Sequence, residues 1–128
     1  MRSCQNGSFT IIDPQQDFSI ECSSDYSCQG LILEIIINSD QITSFKGFGC
    51  GGKGCIDAQI TIINNAQQYI TIESLQCQAP ESCKNTKFNF HTTNNKGGIG
   101  FKSCRCGQLS TNACYGIIGI DPCIKYKM

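Results

Sequence analysis

The chain has little of what most enzymes, metal proteins and membrane proteins depend on. Its 128 residues include no tryptophan and a single histidine, His91. No G-x-S-x-G motif frames a serine, so the sequence pairs no nucleophile with a base. No apolar run approaches the roughly 20 residues that cross a bilayer, because Glu34 interrupts the run at 31–37. We therefore expect no catalytic residues, no cofactor and no membrane insertion.

An overall excess of charge of one sign is also absent. Ten basic residues balance ten acidic ones, and no strongly basic patch indicates nucleic-acid binding. The charge is nevertheless uneven along the chain. Residues 1–64 carry three basic and seven acidic groups, a net charge of −4, whereas residues 65–128 carry seven and three, a net charge of +4.

Cysteine, by contrast, is abundant, with eleven residues at regular intervals. A first series is spaced by 28, 27 and 27 residues, and a second series follows it at 27 and 28: Cys22, Cys50, Cys77 and Cys104, then Cys28, Cys55 and Cys83. Self-similarity at a fixed period of this length is typical of a solenoid or another repeat array.

Each repeat follows the same order of segments. A short cysteine-bounded loop leads into a β-rich run, a polar break follows, and a second β-rich run returns to the next cysteine. This order predicts an all-β parallel β-solenoid over 1–128, with coils at approximately 1–21, 22–49, 50–76, 77–103 and 104–128. About five rungs at a strand spacing of about 4.8 Å would make the body roughly 20–25 Å long.

The register of the first strand in each coil follows from the alternation of side chains. Counting from the second cysteine of each pair predicts inward stacks of Leu31, Leu33 and Ile35, of Ala58, Ile60 and Ile62, and of Thr86, Phe88 and Phe90. The outward positions are then Ile32, Glu34 and Ile36, followed by Gln59, Thr61 and Ile63, and by Lys87, Asn89 and His91. The apolar outward patch around Ile32 and Ile36 is either covered by another segment or a contact surface.

With these cysteine-bounded corners and paired strands, the chain resembles right-handed parallel β-helix repeats of the pectin-lyase-like type, in a Cys-rich extracellular form. The resemblance spans nearly the whole chain and implies the same coiled fold. The enzymes of that type act on acidic polysaccharides through clusters of Asp, Lys and Arg, which this chain lacks. The resemblance therefore implies no lyase activity.

Two disulfide arrangements fit the repeat. Bridges within a coil would join Cys22 to Cys28, Cys50 to Cys55 and Cys77 to Cys83, whereas rung-to-rung bridges would form a vertical ladder. Cys104 with Cys114 would be the fourth pair. Cys4, Cys106 and Cys123 then remain as intermolecular or unpaired cysteines, because the total is odd.

Eleven cysteines in a chain of this length indicate an oxidising compartment, so we expect a secreted or cell-surface protein. Zinc is disfavoured, because the pairs are spaced as C-x5-C and C-x4-C with no second histidine. Asn6 begins the sequence Asn-Gly-Ser, an N-glycosylation acceptor motif. The glycine-rich stretch 47–54 lacks the phosphate-loop pattern and is interpreted as a tight corner.

These features favour a structural protein, a subunit that stacks head to tail into a homo-oligomeric filament or surface appendage. The opposite charges of the two halves favour such heterologous contacts. Two alternatives stay open. One is a β-helix module that binds carbohydrate or ice, and the other is a fragment of a longer β-helix protein.

Overall fold

The computed structural model describes residues 5–22, 24–51, 54–77, 82–93 and 97–106. These residues form nine strands and no helix. The strands are β1 (Ser8–Ile12), β2 (Ser19–Cys22), β3 (Ile32–Ile37), β4 (Ser44–Cys50), β5 (Gln59–Asn64), β6 (Tyr69–Cys77), β7 (Lys87–Thr92), β8 (Gly98–Phe101) and β9 (Cys104–Cys106).

The strands alternate between two sheets, and every pairing is parallel. Sheet A has the order β1-β3-β5-β7, and sheet B has the order β2-β4-β6-β8, with β9 also pairing with β6. Because the chain visits sheet A and sheet B once in each turn, it is a β-solenoid. The predicted all-β fold is thus confirmed.

Within the described residues, the number of coils is smaller than predicted. Three complete coils follow one another between residues 22 and 103, and β1 and β2 form part of a coil before them. Of the predicted fifth coil at 104–128, only Cys104–Cys106 lies within the described residues.

The register of sheet A agrees with the sequence prediction. Phe9, Leu33, Ile60 and Phe88 form one row across the four strands, and Ile11, Ile35, Ile62 and Phe90 form the next. The predicted inward residues are buried, except that Phe90 is half-buried. The predicted outward residues are half-buried or exposed. Burial of the aliphatic rows supplies most of the driving force for coiling.

Phenylalanines fill the space between the two sheets in the later coils. Phe48 of sheet B meets Phe88 of sheet A edge to face, with ring centroids 5.8 Å apart. Phe101 contacts Phe88 at the same centroid separation. Edge-to-face pairs of this kind add to the stabilisation from burial alone.

One residue in each coil turns the chain into sheet A with a left-handed backbone. These residues are Asn6, Gly30, Asp57 and Asn85, with φ between 57° and 69°. Gly, Asn and Asp are the residues that adopt this conformation at least cost. The backbone N–H of each of the first three donates to a carbonyl of the next coil, which aligns the column: Asn6 to Gln29, Gly30 to Ile56, and Asp57 to Lys84.

Candidate functional site

Three disulfides form a column at the corner between sheet B and sheet A. They join Cys22 to Cys28, Cys50 to Cys55 and Cys77 to Cys83, each with a Cα–Cα distance of 5.8 Å. All six cysteines are buried. Of the two arrangements that fit the repeat, the structure has the bridges within coils and not the vertical ladder between them.

The sulfurs of neighbouring corners lie close together. The Sγ atoms of Cys50, Cys55 and Cys83 are all within 4.8 Å of one another, a spacing that would suit a metal ion. All three sulfurs are in disulfides, however, and a metal requires thiolates. The column is therefore a stack of covalent bridges inside the core.

The fourth position of the cysteine column differs from the sequence prediction. Cys22, Cys50 and Cys77 share one row of sheet B, and the residue paired with Cys77 is Cys106. Cys104 pairs instead with Leu75. The prediction that Cys104 continues the series is wrong, because residues paired between β6 and β8 or β9 are 29 positions apart in the chain, whereas the earlier offsets in sheet B are 28 and 27. Its predicted partner Cys114, together with Cys4 and Cys123, lies outside the described residues.

The outer face of sheet A is apolar near β1 and β3 and polar near β7. Ile12, Ile36, Ile63 and His91 form one outward row, and Ile12 is 59% exposed. Ile32, in another row, is 50% exposed. No other described segment covers this patch. His91 is exposed at the polar end of its row.

The acidic residues of the first coil do not converge on one site. The Asp13 carboxylate accepts hydrogen bonds from the backbone N–H groups of Asn38 and Ser39, at 2.7 and 3.0 Å, and so fixes a turn. Glu21 lies on β2, beside Gly49 of the next coil. Asp17 lines a cleft on sheet B.

That cleft, of about 780 Å³, lies on the outer side of sheet B and is called the sheet B cleft here. The turn before β2 forms one wall of the cleft. The middle of β4 and β6, where both strands bulge, forms its floor. At the bulge, the backbone N–H groups of Lys46 and Gly47 both donate to the Phe18 carbonyl. The lining residues are Gln15, Gln16, Asp17, Lys46, Glu73 and Ser74.

An exposed aromatic ring lies on the same face as the sheet B cleft. Tyr69, at the start of β6, is 57% exposed, and it pairs in register with Gly98 of β8. Its ring lies against Gly98 and Gly100. We did not predict this arrangement from the sequence. The sequence did contain a signal for it, because Gly98 and Gly100 occupy alternate, outward positions in the coil that follows Tyr69.

Two further sequence interpretations concern loops. Gly47 and Gly49 belong to strand β4, so the glycine-rich stretch 47–54 is not one tight corner as predicted; only its end, from Gly51, enters the disulfide loop. Asn6 is exposed at the first corner. Its glycosylation stays a prediction.

The chain matches no family model, no curated protein and no solved structure. Its assignment as a β-solenoid therefore rests on strand order and register. The described part of the chain contains no helix that could cross a membrane. The disulfides agree with an oxidising environment.

Proposed function

We propose that this protein is an extracellular structural subunit, a disulfide-stapled β-solenoid that stacks end to end into a fibre or surface appendage. A right-handed coil of the pectin-lyase-like type belongs to the same proposal. The observation that carries it is the open core at the first coil. Phe9 occupies an inward row with Leu33, Ile60 and Phe88, yet it is 45% exposed where the other three are 2–3% exposed.

The strand at this end is also unpaired on one side. β1 pairs with β3 along one edge, and no described strand pairs with its other edge. Unpaired edges with an apolar core behind them are templates for adding another strand. A second subunit stacked on this edge would continue the parallel sheet and bury Phe9.

Charge favours stacking of opposite ends. Among the described residues, those up to 64 carry seven acidic groups and one basic group, those from 65 carry four basic groups and one acidic group, and the two sets lie at different levels along the axis because sequence position follows axial position in a solenoid. Opposite ends therefore attract, whereas like ends repel. A head-to-tail contact that repeats without closing into a ring produces an open filament.

The observed surface gives no support to ice binding. An ice-binding face needs matched threonine rows, and the row containing Thr10 and Thr61 also contains Glu34 and Asn89. A fragment of a longer β-helix protein would have the same open end as a stacking subunit. The two differ in assembly, because a fragment aggregates irregularly and a subunit grows with one repeat.

A matched pair of substitutions tests the proposal. Phe9→Asp places a charge at the open end, and Ile32→Asp places the same charge on a similarly exposed side chain of sheet A. We expect light scattering to show at least about a tenfold loss of large species for Phe9→Asp, since a contact loss of about 1.4 kcal/mol is tenfold in affinity. Ile32→Asp should assemble like the unmodified chain.

Thermal unfolding of both variants separates loss of assembly from loss of folding. High salt should also weaken assembly, because it screens the attraction between the two ends. Equal assembly of Phe9→Asp and the unmodified chain, with both folded, would rule out this end as the contact.

A further inference from the structure

The outer face of sheet B joins an exposed aromatic ring to a polar cleft, and end-to-end stacking uses neither. The Tyr69 ring lies over β8, where a Cβ atom on Gly98 would come within 2.6 Å of the Tyr69 Cδ1 atom. A Cβ atom on Gly100 would collide with the Tyr69 hydroxyl. Only glycine at both positions allows the ring to lie on the strand. The ring is thus held against the sheet with more than half of its side chain exposed.

A line of polar side chains leads from this ring to the sheet B cleft. Tyr69, Thr71 and Glu73 occupy alternate positions along β6. Alternate positions of a strand lie on one face about 6.6 Å apart, so the Cα atoms of Tyr69 and Glu73 are about 13 Å apart. Ser44 pairs in register with Thr71 and adds a second hydroxyl beside the line. The surface is long enough to suit a linear ligand.

The charges along this line balance. The sheet B cleft contains the carboxylates of Asp17 and Glu73 and the ammonium group of Lys46. The Nζ atom of Lys102 lies 4.0 Å from a carboxylate oxygen of Glu73. A polyanion would meet the carboxylates, and a polycation would meet the lysines. The remaining lining groups are amides and hydroxyls, which both donate and accept hydrogen bonds.

We propose that this face binds a neutral oligosaccharide. Tyr69 would stack on the C–H face of one sugar ring, and the amides and hydroxyls from Thr71 to the sheet B cleft would hydrogen-bond the following sugars. An aromatic ring with one open face and a few convergent polar groups is the combination that such a ligand requires. The proposal is independent of stacking, because sheet faces run parallel to the solenoid axis and stay open in a fibre.

The test is an NMR titration of the ¹⁵N-labelled chain with three oligosaccharides of equal length. The probes are hexamers of β-1,4-linked glucose, of β-1,4-linked N-acetylglucosamine and of a uronic acid. We expect at least one neutral hexamer to shift the backbone amides of Thr71, Gly98 and Gly100, and the uronic acid hexamer to shift none of them. Tyr69→Ala should weaken binding at least about fivefold, and Tyr69→Phe should stay within about twofold.

Two further variants keep the result decisive. Ile32→Ala removes a comparably exposed side chain from sheet A and should bind normally. Thr71→Lys should block the line without removing the ring, which provides a test if Tyr69→Ala fails to fold. The proposal is wrong if no neutral hexamer shifts these amides, or if binding is unchanged by both Tyr69→Ala and Thr71→Lys. In either case the ring serves to cover the glycine backbone of β8.

Discussion

A buried asparagine ties successive coils together at the end of sheet A. Asn64 is fully buried in the row that contains Ile37 one coil earlier. Its Nδ2 donates to the backbone carbonyls of Gln68 and Gly98, at 2.8 and 3.0 Å, and its Oδ1 accepts from the N–H of Ala66. The side chain therefore satisfies three backbone groups, one of them in the following coil.

Asn64→Ala should lower the free energy of unfolding by about 2–3 kcal/mol, because buried backbone groups lose their partners. Asn65→Ala is the matched control. Asn65 is exposed, and its bonds to Asn38 and Thr93 join side chains in contact with water, so we expect a loss below about 1 kcal/mol. Denaturant unfolding with the disulfides intact measures both. Equal losses of unfolding free energy for the two variants would show that the Asn64 side chain does not link the coils.

At the scale of the strand and corner, the register changes the disulfide prediction. Cys106 occupies the row of Cys77. The left-handed residues Gly30, Asp57 and Asn85 each stand two positions after the second cysteine of a corner, and Gly116 stands two positions after Cys114. We therefore predict a bridge from Cys106 to Cys114 in place of one from Cys104.

Peptide mapping decides this prediction, because trypsin cleaves after Arg105 and separates Cys104 from Cys106. Residues 106–125 form one tryptic peptide that contains both Cys106 and Cys114, so the non-reduced digest should contain this peptide with an internal disulfide, which tandem mass spectrometry should place between these two cysteines. Cys106→Ser should abolish that bridge, whereas Cys104→Ser should keep it. A peptide joining Cys104 to Cys114 in the unmodified chain would show that the corner follows the cysteine spacing and not the strand register.

Strand alternation could be predicted from the sequence, but the length of each coil and the contacts between strands could not. The inward residues of β3, β5 and β7 could be predicted because side-chain alternation restarts at each corner, which the second cysteine marks. The error at Cys104 arose because one coil is longer, and a fixed period carries no information about insertions in the polar break. Tyr69 was missed because its partners, Gly98 and Gly100, are adjacent only after the strands are paired.

For the molecule as a whole, stacking and oligosaccharide binding would use different surfaces of the solenoid. The open first coil and the opposed charges act along the axis, where they favour a further subunit. The sheet B face lies along the side, where a fibre would repeat it once in each subunit. A fibre would therefore present many weak oligosaccharide sites together and gain avidity from their number.

Electron microscopy of the unmodified chain, with reducing and non-reducing gels of the same sample, tests the stacking of subunits most directly. We predict regular fibres with an axial subunit repeat of roughly 20–25 Å, the height of four to five strand spacings. A species on the non-reducing gel that disappears on reduction would assign a cysteine to the contact between subunits. Discrete monomers without fibres at any concentration, or irregular aggregates with no constant repeat, would contradict the account.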